Sequence, residues 1–298
     1  MKTWAWLLSA ACAVGALLLS GCGAASAPKP IVSALAGNWL LVGPMPSNLL
    51  DSTTTGLRLA MTFDVNGNDI AAAGIGNNFC DNVGSLFALG GSGSVAADGS
   101  FTLATPPNVP FQIVSIKGMV PQTSGGVWTG SYAVSLTSPL VPKCDASLSG
   151  TFTAMSFPLL DGVYAGTGSM QTTVDGVSTV TPATFQVTLQ QGATVMDPSG
   201  KPLSRSSALL GSIRVQGSPC FTSGVTDSTH PGSVKGNRVD EIFTMDDGSK
   251  LSFSGSLADA TETRLTENVA IVTGGQCAIN GPSIYKLPEL NRQSQQGS

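Results

Sequence analysis

Apolar and polar residues alternate with a period of two along much of this chain, and this pattern constrains the fold more than any other feature. In residues 57–65 every odd position is apolar, and residues 184–190 repeat the pattern with Phe185, Val187 and Leu189. Such a run predicts a strand with one face in a core and the other in water. After residue 35, no stretch keeps the apolar stripe of a helix for three turns. The sequence therefore predicts an all-β fold.

The two halves of the chain follow one plan. The first half opens with Gly37-Asn38-Trp39 and the second with Gly162-Val163-Tyr164, each after a Leu. An alternating strand follows in both halves, and a turn then comes at Asn66-Gly67 and at residues 197–200. Short strands joined by such turns are typical of small barrels or sandwiches. We therefore predict two consecutive small β-barrel-like or sandwich domains of related design.

The N-terminus has the layout of an export signal. Lys2 precedes an uncharged apolar stretch from Trp4 to Leu19. The stretch ends in Leu19-Ser20-Gly21-Cys22, which resembles the lipobox of bacterial lipoproteins. This resemblance implies cleavage before Cys22, diacylglycerol on its thiol and anchoring in the cell envelope, with sorting to the outer membrane where the host has two membranes. An uncleaved transmembrane anchor is the alternative, although the apolar run is near the lower limit for a span.

These features divide the chain into five expected segments. We expect a lipoprotein signal peptide at 1–21, a lipidated Cys22 with a flexible tether at 22–34, β domains at 35–157 and 158–288, and a polar tail at 289–298.

Four cysteines remain after Cys12 leaves with the signal and Cys22 carries lipid: Cys80, Cys144, Cys220 and Cys277. An even number outside the cytoplasm indicates disulfides, and four cysteines allow three connectivities. The repeat favours Cys80–Cys144 and Cys220–Cys277, each closing a loop of about 60 residues and stabilising the fold by about 4 kcal/mol. No Cys-x-x-Cys or Cys/His spacing occurs, so we expect no metal and no cofactor.

The start of the first domain resembles a second family. Gly37-Asn38-Trp39 is similar to the Gly-x-Trp signature of lipocalins, which implies a barrel whose Trp closes one end. That family also has a Thr-Asp-x-x-Tyr turn and a late Arg, whereas this chain has Thr226-Asp227-Ser-Thr-His and Lys286. Ligand transport is therefore not implied. The body otherwise resembles uncharacterised β-rich lipoproteins, which imply no particular activity.

Candidate catalytic residues are few. The chain has 1 His, and His230 lies in loop-forming sequence, so we expect a solvated side chain and not a catalytic base. Ser283-Ile284-Tyr285-Lys286 matches a Ser-x-x-Lys motif, but the later partners of that motif are missing. We therefore expect no enzymatic activity.

Acidic and aromatic residues have structural explanations. Asp246-Asp247 is typical of a hairpin turn, and Asp240-Glu241 precedes a strand. Residues 64–69 resemble a calcium loop, yet the Gly and the final Glu are misplaced, so we expect an Asn-Gly hairpin. We expect core positions for three large aromatic residues, Trp39, Trp128 and Tyr164.

The charge of the chain limits its partners. It has 14 Lys and Arg against 18 Asp and Glu, and loss of Lys2 with the signal shifts the net charge of -4 to -5. So weak a field does not attract nucleic acid. We expect a membrane contact through Cys22 and a possible protein or glycan partner. The expected function is a lipid-anchored, non-catalytic binding or surface-display protein, with a lipocalin-like carrier of a small apolar ligand or an envelope hydrolase as alternatives.

Overall fold

The chain folds into two consecutive, closed, eight-stranded β-barrels, as the alternation predicts. The computed structural model describes residues 31–44, 57–77, 86–106, 112–136, 146–174, 177–196, 202–258, 264–275, 278, 283–287 and 289–293. Apart from one short 3-10 helix (Val32–Leu35), the regular structure in these residues is all β-strand.

Barrel 1 is an up-and-down barrel in which each strand pairs antiparallel with the next and the eighth returns to the first. Its strands are β1 (Gly37–Gly43), β2 (Leu57–Asn66), β3 (Asp69–Asn77), β4 (Leu86–Val95), β5 (Ser100–Ala104), β6 (Gln112–Met119), β7 (Trp128–Leu136) and β8 (Ala146–Phe157). Full closure removes the unpaired strand edges that promote aggregation.

Barrel 2 repeats this design with interruptions. Its strands are β9 (Gly162–Val174), β10 (Val177–Gln191), β11 (Thr194–Met196), β12 (Pro202–Ser204), β13 (Ala208–Gln216), β14 (Ser223–Thr226), β15 (Gly232–Lys235), β16 (Arg238–Met245), β17 (Lys250–Leu257), β18 (Arg264–Thr273), β19 (Ser283–Lys286) and β20 (Leu290–Arg292). The wall runs β9-β10-β13-β14-β16-β17-β18-β20 and closes where β20 pairs with β9. β11 and β12 form a separate hairpin.

Barrel 2 departs from the predicted plan at two places. β14 and β15 both lie between β13 and β16, so the fourth strand of the barrel is split by residues 227–231. β20 lies in the segment expected to be a polar tail from residue 289. The tail prediction does not hold for residues 290–292, because this strand is needed to close the barrel.

The repeat predicted from the sequence corresponds to equivalent positions in the two barrels. Gly37 and Gly162 begin the first strand of each barrel with φ values of 109° and 114°. Trp39 and Tyr164, two residues later, are both buried. The Gly-x-aromatic motif therefore marks the same strand entry twice.

Aromatic rings fill the interior of barrel 1 around Trp128. The Trp128 ring makes edge-to-face contacts with Trp39, Phe101 and Phe152 at centroid distances of 5.8, 5.3 and 5.2 Å. Such pairs stabilise a core beyond the area that they bury. Trp39 also donates from Nε1 to the Leu35 carbonyl at 2.8 Å, which ties the 3-10 helix to the barrel.

The alternation in β2 predicts the buried residues of its inner face correctly. It does not predict that part of its outer face is buried as well. Leu59, Met61 and Phe63 point into barrel 1 as expected. Ala60 and Thr62, expected in water, are buried. Barrel 2 covers them, which a pattern within one strand cannot indicate.

Candidate functional site

The two barrels meet where the outer face of β1 and β2 covers one end of barrel 2. Leu40 and Ala60 point out of barrel 1 and belong to the same buried cluster as the core of barrel 2. The turn between β15 and β16 enters this contact, where the Gly236 N–H donates to Thr62 Oγ1 at 3.0 Å. A Cβ atom at Gly236 would lie 2.6 Å from the Met61 nitrogen, so a side chain does not fit here.

A buried pair of amides fastens the barrels together. Asn38 Nδ2 donates to Gln191 Oε1 at 2.9 Å, and Gln191 Nε2 donates to Asn38 Oδ1 at 2.8 Å. The same amides also bond to Thr62 Oγ1, the Leu160 N–H and the carbonyls of Pro158 and Ser206 at 2.8 to 3.0 Å. Every donor and acceptor of both amides is therefore used, which is what a buried polar network requires.

A cavity of about 390 Å³ lies beside this joint, and both barrels line it. Barrel 1 contributes Leu40, Arg58, Ala60 and Ile75, while barrel 2 contributes Asn237, Arg238, Ser256, Leu257, Ala258, Thr266 and Glu267. The volume is in the range of small-molecule sites.

Three charged residues line the cavity. Arg58 lies on the outer face of β2, and the β15–β16 turn delivers Arg238 at the first position of β16. Glu267 has a φ of 52°, and within the described residues no other non-glycine residue has a positive φ. It lies beside the irregular pairing of β17 and β18 between Ser254 and Ser256. A bulge of this kind redirects a side chain out of the regular sheet.

Among the described lining residues Arg58 and Arg238 are basic and Glu267 is acidic. Arg58 interacts with another group of the chain, whereas among the described residues neither Arg238 nor Glu267 forms an ion pair. A guanidinium presents a planar fork of donors that matches a carboxylate or phosphate. The described lining therefore offers charged groups of both signs.

The three aromatic residues singled out from the sequence lie in the cores. Trp39 and Trp128 are in barrel 1, and Tyr164 is in barrel 2. Burial raises the pKa of the Tyr164 hydroxyl above its usual value. None of them lines the cavity at the joint.

His230 is an exposed loop residue, in the segment that splits the fourth strand of barrel 2. Its Nδ1 lies 3.1 Å from Asp227 Oδ2 and 3.0 Å from Thr229 Oγ1. Hydrogen bonds from Thr229 are the main cause of an Asp227 pKa lowered to about 2. Both neighbours meet the same ring nitrogen, so the three side chains close a surface turn and do not form a catalytic relay.

The carboxylate pairs also have structural roles. Asp246 and Asp247 lie in the turn between β16 and β17, and Asp246 accepts hydrogen bonds from Thr222 that lower its pKa. The Asn66-Gly67 turn joins β2 to β3, which confirms the predicted hairpin. Within the described residues, no three His, Cys, Asp or Glu side chains gather closely enough to hold a metal ion.

Glu241 is the buried ionisable residue that sequence reasoning missed. It lies on β16 between the inward-facing Val239 and Phe243, opposite the gap between β14 and β15. Burial raises its pKa to about 7, and hydrogen bonds from Ile242, Thr226 and Gly232 act against that rise. One feature of the sequence could have identified Glu241. It is a carboxylate at a position of an alternating strand where its neighbours on the same face are apolar.

Most of the predicted lipid and disulfide residues lie outside the described residues: Cys22, Cys80, Cys144 and Cys277. Cys220 is described and is disulfide-bonded, but its partner is not among the described residues. The pairing Cys220–Cys277 therefore stays a prediction.

Comparison of the chain with protein-family models and with curated proteins gives no match. Within the described residues, no helix is long and apolar enough to cross a membrane.

Proposed function

We propose that this chain is a lipid-anchored protein of the bacterial cell envelope whose two barrels form a non-catalytic binding module. The observation that carries the binding role is the cavity at the joint, because residues from both barrels line it and a fully bonded amide pair holds them in place. A rigid site assembled from two domains is typical of ligand recognition.

Anchoring is supported by the sequence Leu19-Ser20-Gly21-Cys22 and by the small-residue and Pro-containing stretch that follows it. The acyl chains on Cys22 hold the protein to the envelope membrane, to the outer membrane where the host has two. Two or three acyl chains suffice for stable anchoring, since each buried CH₂ contributes about 0.8 kcal/mol. Disulfides Cys80–Cys144 and Cys220–Cys277 complete the proposal for an oxidising compartment.

The partner is a protein or glycan of the envelope, and not nucleic acid. A lipocalin-like carrier needs an open interior, whereas aromatic rings occupy the interior of barrel 1 around Trp128. A hydrolase of the glycosidase type needs two carboxylates across one cleft, whereas Glu267 is the one carboxylate among the described residues that line the cavity at the joint. Both alternatives are therefore less well supported than a binding module.

The anchoring is tested by comparing Cys22→Ala with Cys12→Ala, a matched cysteine inside the signal. We expect the wild-type protein and Cys12→Ala to enter the detergent phase of a Triton X-114 extraction as a mature form. Cys22→Ala should stay as an unlipidated precursor. An acylated, mature Cys22→Ala protein would contradict the proposal. Co-sedimentation of the purified protein with isolated cell-wall glycan, absent for a protein of similar size, tests the binding role.

A further inference from the structure

We propose that barrel 1 rests on the membrane through a group of exposed apolar side chains at the end where the chain enters it, with β6, β7 and β8 facing the lipid. The inference rests on the proposed lipid anchor at Cys22 and adds the surface by which the folded protein meets the bilayer.

Large exposed apolar residues gather at this end of barrel 1. Among the described residues eleven such side chains are exposed, and five of them form what we call the apolar rim: Ile31, Met119, Val127, Met155 and Leu159. Between 39% and 67% of each rim residue is exposed. Single exposed apolar residues are normal on a protein, whereas a group of them marks a surface that meets a partner or a membrane.

The strand register makes three of the rim residues neighbours. Because Trp128 is paired with Ala154, the adjoining residues Val127 and Met155 come side by side on the outer face of the barrel. Met119 is the last residue of β6, the strand that pairs with β7. The three side chains therefore lie together across β6, β7 and β8.

The chain enters barrel 1 at the same end. Asn38, at the start of β1, is paired with Phe157, at the end of β8. Ile31 precedes the 3-10 helix that leads into β1, and Leu159 follows β8. Leu159 also lines one groove together with Ala36, the residue after that helix. The apolar rim therefore lies around the point at which the tether joins the folded protein.

The length of the tether favours this end of the barrel. Eight residues, 23–30, separate Cys22 from Ile31. An extended chain gains at most about 3.6 Å per residue, so the tether reaches about 30 Å at most. A strand of 10 residues such as β2 is of similar length, at about 3.3 Å per residue. The far end of barrel 1 can meet the bilayer only with the tether stretched to its limit, whereas the apolar rim can meet it with a relaxed tether.

The charges at this end leave the β6–β8 side suited to lipid. Asp64, Asp69 and Asp98 lie at or beside the turns that follow β2 and β4. Lys117 is the one charged residue in the sequences of β6, β7 and β8, and it is exposed two positions before Met119. A lysine beside apolar residues can place its ammonium group among lipid phosphates while its stem stays on the apolar surface. Barrel 1 therefore leans on its β6–β8 side and keeps the acidic turns away from the bilayer.

The test places a fluorescent probe in the apolar rim of the full mature protein, reconstituted in phosphatidylcholine vesicles. Cleavage before Cys22 leaves Trp39 and Trp128, both buried, and their emission is measured in the wild type and subtracted. The emission that Met119→Trp adds should fall at least about twofold when the acyl chains carry bromine, because interfacial side chains reach the acyl boundary. The matched variant Val180→Trp, exposed on β10 of barrel 2, should show no such loss.

A second substitution separates contact made by the apolar rim from contact made by the introduced tryptophan alone. In the Met119→Trp background, Val127→Asp should cut the loss of emission by about half or more, because a carboxylate is costly at the apolar boundary. The substituted positions are exposed, so the near-UV circular dichroism of each variant should match that of the wild type.

Three fluorescence results would overturn the inference: no quenching of Met119→Trp, equal quenching of Val180→Trp, or quenching that Val127→Asp leaves unchanged. A blue shift of the Met119→Trp emission that grows with protein density in unbrominated vesicles would also overturn it, because a second copy would then cover the apolar rim. Flotation distinguishes this failure from that of the anchor. A protein that floats with the vesicles without quenching keeps the anchor and loses only this contact, whereas a wild type that does not float loses both.

Discussion

At the scale of single residues, Glu241 is the least expected feature of barrel 2. Only 1% of the residue is exposed. Oε1 accepts a hydrogen bond from the Ile242 N–H at 2.8 Å. The side chain lies where the wall is open between Thr226 and Gly232. Removing a carboxylate from water favours its protonated form. Burial is therefore the main cause of the raised pKa of Glu241.

Glu241 makes the stability of the protein depend on pH near neutrality. Its pKa is about 7 in the folded protein against an ordinary 4.5. Since the folded state binds the proton more tightly, stability is greatest below pH 4.5 as far as this group is concerned. It falls as pH rises from 4.5 to 7, by at most about 3 kcal/mol. Urea unfolding at pH 5 and pH 8 measures the difference.

Glu241→Gln should abolish this loss between pH 5 and pH 8, because a neutral amide of the same shape cannot ionise. Glu289→Gln, at an exposed glutamate, is the matched control and should keep the wild-type slope. If Glu241→Gln and the wild type lose stability equally with rising pH, Glu241 is not the group responsible.

At the scale of elements, two turns whose glycines have similar φ angles differ in how closely they are packed. Gly67 joins β2 to β3 with a φ of 62°, and Gly236 joins β15 to β16 with a φ of 60°. A Cβ atom at Gly67 meets nothing within 4 Å, whereas one at Gly236 lies 2.8 Å from Ala60 Cα. The first turn closes a hairpin with free space beside its glycine. The second turn packs against barrel 1.

We predict that Gly67→Ala costs about 1 kcal/mol, the penalty for a left-handed alanine. Gly236→Ala should cost at least about 3 kcal/mol, because overpacking against barrel 1 adds to the same backbone penalty. Chemical denaturation of the two variants compares them directly. Equal costs would mean that the β15–β16 turn does not press against barrel 1.

At the scale of the whole molecule, a buried hydrogen-bond network joins the two barrels. Asn38 lies at the start of β1 and Gln191 at the end of β10, 153 residues apart in the chain. Their amides meet only if both barrels are folded and docked. Because a buried unpaired amide is costly, the network couples the stability of one barrel to that of the other.

Gln191→Leu should therefore lower stability by about 2–4 kcal/mol, since Asn38 loses two bonds and stays buried. We expect calorimetry to show one unfolding transition for the wild type and two for Gln191→Leu, one for each barrel. Gln190→Leu, at the exposed neighbouring position, should leave one transition. One unshifted transition for Gln191→Leu would show that apolar contacts alone hold the barrels together.

The amino-acid sequence by itself determined the strand class, the two-barrel repeat and the inward faces. Leu59, Met61 and Phe63 could be assigned to a core because the period of a strand is local, and Gly37-Asn38-Trp39 could be matched with its counterpart because both serve the same strand entry. The exposed loop position of His230 was also predictable, since a loop-forming context belongs to the residues themselves.

Only the tertiary structure decided which outward-facing residues of barrel 1 are covered by barrel 2. Ala60 and Thr62 alternate as outward residues, and nothing within β2 indicates that barrel 2 covers them. Arg58 lies on β2 of barrel 1 and Arg238 on β16 of barrel 2, so their common cavity exists only after docking. Local periodicity records which face of a strand meets its own core. The partner of the opposite face depends on contacts between distant segments, which no local pattern specifies.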